Sequence, residues 1–171
     1  MGVSHIHRLL LIDRMFFVNV NVRRVHKRFK ASEYRLILEV LGDSRRRLKF
    51  LVCGYVLMPE HWHALIWPTH PLLISQVLHD IKKVSALRLH CARGTRGPFG
   101  QHQFWDRFVR HAKEFRERLD YMHLNPVRRG LVKRPQDWQW SSYNNFALEK
   151  AAAAACPIQI DYVRLPPGYR G

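Results

Sequence analysis

Phe50-Leu51-Val52-Cys53-Gly54-Tyr55-Val56-Leu57, followed by Met58-Pro59-Glu60 and then His61-Trp62-His63-Ala64-Leu65-Ile66-Trp67, is the stretch that decides the fold. Both arms are rich in β-branched and aromatic residues, and Pro59-Glu60 supplies a tight turn between them, so the segment predicts an antiparallel hairpin. In a strand, residues i and i+2 face the same way. His61 and His63 therefore share one face, and Trp62 looks to the other. Two imidazoles on one rigid element are half of a metal site. Taken alone, the pair equally describes two ordinary strand histidines.

Other histidine chemistries can be tested on the same residues. A histidine-triad hydrolase needs a third histidine at position 65, where this chain has Leu65. A phosphoesterase with His-X-Thr pairs needs threonine at 63, and no such pair occurs elsewhere.

Outward from the hairpin, Phe16 to Val22 alternates from Val18 onward and predicts a strand. Ser32 is placed to cap a helix running to about Arg46, with Leu36, Ile37, Val40 and Leu41 at helical spacing. After the hairpin, Pro68 and Pro71 end the strand, and Leu72 to about Cys91 predicts a second helix. Arg93 to Gly100 is a glycine-rich loop, Gln103 to Val109 a further strand, and Lys113 to Leu124 a third helix. Asn125-Pro126 is expected to stop that helix, because proline disfavours helical geometry in the residue before it. The expected class is α+β, a small antiparallel sheet with helices packed on one face. Residues 1–146 form the domain. From Ala147 an alanine-rich helix leads into a proline-containing tail, 147–171, expected to lie loosely on the surface.

The chain has 171 residues, 47% of them apolar, which suits one domain with a core. Its 29 lysines and arginines against 13 acids give a formal charge of +16, favouring a polyanionic partner, nucleic acid ahead of a membrane surface. No apolar run reaches the roughly 18 residues a membrane span needs, and no signal peptide is evident. Three scattered cysteines suggest neither a disulfide framework nor a zinc knuckle, and point to a reducing cytoplasm.

A second constellation is Tyr121-Met122-His123-Leu124-Asn125-Pro126-Val127-Arg128-Arg129-Gly130. On a helix, i and i+4 share a face, so Tyr121 and Asn125 can point to one place. Asn125 offers a carbonyl oxygen suited to Mg²⁺ or Mn²⁺. Tyr121 offers a phenol that can attack phosphorus and split one transfer into two reversible steps. A phenol of reference pKa near ~10 needs help to ionise, and a divalent ion on the phosphate would offset the developing charge. The competing reading makes Tyr121 a core-edge aromatic and Asn125 a helix cap. His123 competes as a ligand, but lies about 200° around the helix from Tyr121.

Together the two motifs resemble the HUH single-strand DNA endonucleases, and within them the IS200/IS605-like tyrosine transposases of the REP-associated branch. Gly54 to His63, Tyr121 to Val132 and Pro135 to Tyr143 carry the resemblance, which spans roughly residues 16 to 146. It implies a ferredoxin-like, RRM-like fold. It implies Tyr121 as the catalytic tyrosine and His61 and His63 as metal ligands. Asn125 stands where IS200-like enzymes place a glutamine, and is implied as the third ligand.

The implied activity is metal-dependent cleavage and rejoining of single-stranded, hairpin-forming DNA through a 5′-phosphotyrosine, with Mg²⁺ or Mn²⁺ as cofactor. The implied setting is the bacterial nucleoid, with a monomer favoured over a dimer. Arg23, Arg24, Lys27, Lys82, Lys83 and Arg110 are candidate phosphate contacts, Phe104 and Trp105 candidates to stack on bases, and Trp138 and Trp140 packing residues. The segment Met1 to Arg14 and the tail after Ala147 depart from the family pattern. Two rival functions share these residues: a non-catalytic single-stranded nucleic-acid-binding protein, and a water-using metal-dependent phosphoesterase.

Overall fold

The computed structural model describes residues 14–21, 28–96, 105–146 and 150–165. Its order is β1 (Phe16–Asn21), α1 (Ala31–Leu48), β2 (Leu51–Leu57), β3 (His61–Trp67), α2 (Ile74–Arg93), β4 (Trp105–Phe108) and α3 (Ala112–Arg128). Two 3-10 turns follow at Pro135–Asp137 and Tyr143–Phe146, then a short helix α4 (Lys150–Ala154). The four strands form one antiparallel sheet in the order β2-β3-β1-β4. The first strand in sequence is thus central in space, between β3 and β4.

Alternation along β1 sorts its side chains to two faces. Phe16, Val18 and Val20 join Trp62, Ala64 and Ile66 in the main core, which α1 and α2 cover with Ile37, Leu38, Leu41, Val77, Leu78 and Ile81. On the opposite face Leu65, Val56, Met58 and Met122 form a second cluster with Phe17, Phe115 and Leu119 packed against it. The two longest helices therefore share one face, and α3 crosses the other.

Three local expectations differ from what is observed. Helix α1 begins at Ala31, and its cap is Lys30, not Ser32. The Lys30 amide donates to the Glu33 carboxylate at 2.7 Å, so Glu33 does the capping from inside the first turn. Helix α3 does not stop at Leu124 but runs through Pro126 to Arg128. Proline lacks one N–H, yet the Arg129 amide still donates to the Asn125 carbonyl at 3.0 Å, and the Arg129 side chain is held by Glu60 at 2.9 Å. The described tail is not loose. Asp161 both donates its amide to the Val52 carbonyl and accepts the Val52 N–H on its carboxylate, each at 2.8 Å. Arg45 grips the same carboxylate at 2.5 Å, and Ile160 is buried. Ser142 and Trp140 pair with Tyr55 and Leu57 farther along β2. The tail and these residues thus cover the outer edge of β2, which would otherwise offer unpaired backbone to another chain.

Trp138 and Trp140 pack as the sequence suggests. Trp140 stacks on Tyr34 at 5.3 Å, and the Trp138 indole N–H donates to the Leu57 carbonyl at 2.9 Å.

Candidate active site

The β3 pleat places Trp62 in the main core and turns His61 and His63 to the α3 side. Their rings lie 4.7 Å apart. His63 is 4% exposed, and neither of its ring nitrogens has a hydrogen-bond partner. Burial, aided by the neighbouring His61, pushes its pKa down to about 3, although the Val18 backbone opposes this slightly. Burial also lowers the pKa of His61, with Glu60 opposing and Arg129 reinforcing. Both imidazoles are therefore neutral at physiological pH, the form that binds a metal.

Gly54 lets α3 come close. A β-carbon there would stand 2.8 Å from Leu119 Cδ1 and 2.9 Å from Met122 Cε. The far end of α3 is fixed by the Arg129–Glu60 ion pair, next to His61. Between these anchors, Tyr121 sits 5.7 Å from His63 and 6.2 Å from Phe17, ring to ring. Phe17 itself stacks on His63 at 5.2 Å. Tyr121 is 40% exposed, so its phenol is open to a large substrate. Asn125 is buried one helical turn further on, followed by Arg129 on Glu60. The persistence of the helix through Pro126 keeps Asn125 in register under Tyr121.

His123 goes elsewhere. Its Nε2 shares a 2.8 Å hydrogen bond with the Ser142 hydroxyl, which also accepts the Tyr55 N–H. Burial lowers its pKa to about 4. It pins α3 to the residues along the β2 edge and takes no part in the histidine pair.

The candidate phosphate contacts divide. Lys82 and Lys83 lie on α2, on the sheet face away from the histidines. Arg110 stands before α3 with its guanidinium over Phe108 at 5.5 Å. Arg23, Arg24, Lys27 and Phe104 fall outside the described residues. Trp105 pairs through its backbone with Asn19 on β1.

The sequence reading missed cations that the structure brings to the site. Arg128 lies over the Tyr121 ring at 5.8 Å and Arg118 over Phe17 at 5.4 Å. Their spacing held a signal: Arg118, Tyr121, Asn125 and Arg128 recur at helical intervals of three and four. Phe17, Asn19 and Glu60 were also missed, because only strand pairing shows them facing the site.

A divalent metal fits these residues in part. Two imidazoles share one face of β3, one with both nitrogens lacking a hydrogen-bond partner, and α3, which crosses that face, carries the buried Asn125. Among the described residues, no group of three His, Cys, Asp or Glu could hold a metal. Any ion here would complete its shell with amide oxygens, water or substrate phosphate, as Mg²⁺ commonly does.

No protein-family model matches the chain. It is 28% identical over 144 residues to the REP-associated tyrosine transposase of Escherichia coli K12, covering 83% of this chain and 84% of that protein. Its fold matches the structure of a REP-associated tyrosine transposase bound to a REP hairpin, with a TM-score of 0.70, 24% identity and 93% of each chain covered. A solved structure from Deinococcus radiodurans R1 is more distant, at TM-score 0.51 and 15% identity, covering 66% of this chain and 90% of that one. In sequence the chain is similar to a REP-associated tyrosine transposase over most of its length, and its fold is that of the solved REP-associated tyrosine transposase.

Proposed function

We propose that this protein is a divalent-metal-dependent transposase that cuts and rejoins single-stranded, hairpin-forming DNA through Tyr121. One observation carries the reading: an exposed tyrosine stands 5.7 Å from a buried, unpartnered histidine of the same chain. Its relatives add support, since one is named a transposase and another was solved on a REP hairpin.

In this reading His61, His63 and Asn125 hold Mg²⁺ or Mn²⁺. When bound, the ion polarises the phosphorus centre and offsets its developing charge. Tyr121 gives up its phenolic proton to solvent and attacks the phosphorus. The bond to the 3′ oxygen breaks, and that oxygen leaves as a hydroxyl with a proton taken up. The product is a 5′-phosphotyrosine. The 3′-hydroxyl of a second strand then attacks, the phosphotyrosine bond breaks and Tyr121 regains its proton. Arg128, over the Tyr121 ring, is placed to meet the negative charge of the phosphate. Phe17 packs against both the nucleophile's ring and His63 and helps to fix their geometry.

The site's histidine and tyrosine come from one chain, which favours a monomer that needs no partner to complete its site. Cys53 and Cys91 are free thiols, in keeping with work on nucleoid DNA in a reducing cytoplasm. Among the described residues no helix is long and apolar enough to cross a membrane.

The test is a covalent-adduct assay with 5′- and 3′-labelled hairpin DNA and Mg²⁺ or Mn²⁺. Wild-type protein should carry the downstream strand through its 5′ phosphate, and Tyr121→Phe should not. Cleavage without an adduct would replace this reading with a water-using phosphoesterase. Binding with no cleavage, unaltered by His61→Ala, would replace it with a binding protein.

A further inference from the structure

We infer that Asn19 supplies an additional oxygen donor to the divalent ion assigned above to His61, His63 and Asn125, an inference that rests on that assignment. Asn19 lies on β1 directly opposite His63 in the antiparallel register. Residues so paired point to the same face with their β-carbons about 5 Å apart. The alternation Val18-Asn19-Val20-Asn21 sends both valines into the main core and Asn19 to the face that carries the histidines.

The state of its side chain is the second observation. The Asn19 Oδ1 atom is buried and has no hydrogen-bond partner. It shares that condition with both ring nitrogens of the residue across from it. A buried acceptor without a donor is uncommon in a folded protein and calls for an explanation. Asparagine is also disfavoured in strands, and β1 is central in this sheet. An amide oxygen and an imidazole nitrogen, adjacent, buried and both unpaired, are lone pairs waiting for a cation. The oxygen suits the hard ions Mg²⁺ and Mn²⁺, which prefer oxygen donors to imidazoles. It would also add a donor where, among the described residues, no three His, Cys, Asp or Glu side chains converge.

The experiment titrates the metal-free full-length protein with Mn²⁺ alone, followed by electron paramagnetic resonance, and records the melting temperature with and without Mn²⁺. Asn19→Leu, nearly isosteric, should weaken Mn²⁺ binding by roughly ten-fold or more. It should leave the metal-free melting temperature unchanged or raised, since it removes an unpaired buried acceptor. Asn19→Asp should restore binding.

Unchanged Mn²⁺ affinity in Asn19→Leu, with binding lost in His63→Ala, would overturn the role of Asn19 and leave the histidine site standing. Unchanged affinity in His63→Ala, or no saturable binding by the wild type, would overturn both. If Asn19→Leu melts too early to titrate, Asn19→Asp decides. Binding at least as tight as wild type upholds the oxygen donor, and weakened binding overturns it.

Discussion

Removing the Arg93 side chain should destabilise the protein by about 3 kcal/mol while leaving the candidate active site intact. The Glu33 carboxylate is 3% exposed and accepts three hydrogen bonds: from Arg93 Nε at 2.6 Å, from an Arg93 terminal nitrogen at 2.7 Å and from the Lys30 amide at 2.7 Å. Arg93→Ala leaves that buried charge with one donor. Breaking a buried pair on one side costs about 3–5 kcal/mol. The Arg93 side chain is 13% exposed and ends a helix, so water can enter the vacated space and the lower end applies. For a chain of this size that is a fall in melting temperature of about 6–12 °C.

Glu33→Gln should cost less, about 1–2 kcal/mol, because the amide oxygen can still accept from Lys30 and Arg93 can reach water. The pair also fixes a pH dependence. Burial works to raise the Glu33 pKa, but the bonds from Arg93 and Lys30 together bring it below its ordinary value of 4.5. The folded protein then binds fewer protons here than the unfolded chain. The contribution is complete above pH about 4.5 and fades as pH falls through the folded value. Urea denaturation of wild type and Glu33→Gln between pH 3 and 7 should show a stability gap that closes only in acid. A cost below about 1 kcal/mol for Arg93→Ala, or a gap independent of pH, would refute the reasoning.

Three further outcomes are expected. Gly54→Val should lift α3 from β2, costing about 1–3 kcal/mol by overpacking and reducing adduct formation more than hairpin binding; wild-type melting and cleavage together would contradict the close-approach argument. Glu60→Gln removes the partner of Arg129 at a half-exposed site, so stability should change by only about 0–1 kcal/mol, whereas cleavage should fall by roughly ten-fold or more if the pair positions Asn125 and Tyr121. Asp161→Ala should cost about 1–3 kcal/mol in urea denaturation by orphaning the Val52 amide and leaving Arg45 with the Gln159 carbonyl; a neutral result would mean that the tail does not seal the β2 edge.

Local pattern carried much of this protein. Period-two alternation marks β1, runs of β-branched and aromatic residues about a Pro-Glu turn mark β2 and β3, helical spacing marks α1 to α3, and His61-Trp62-His63 already puts both imidazoles on one face. Those features depend on neighbours within a turn or a pleat, so the residues encode them directly. Even Tyr121 and Asn125 share a helix face by spacing alone. The sequence could not say that β1 is central, which is what sets Asn19 opposite His63 and Phe17 against its ring. Nor could it show that Lys82 and Lys83 stand behind the sheet while Arg118 and Arg128 stand at the site. Pro126 gave the wrong helix end, because a local bias of one residue yields where the following amides still find carbonyl partners, Arg129 on Asn125 and Leu131 on Pro126. The tail gave no period at all, and its place is set by single contacts to a strand some hundred residues earlier, Val52 with Asp161. Strand order, face and edge closure arise from pairings between distant segments, and no local window of sequence contains both partners.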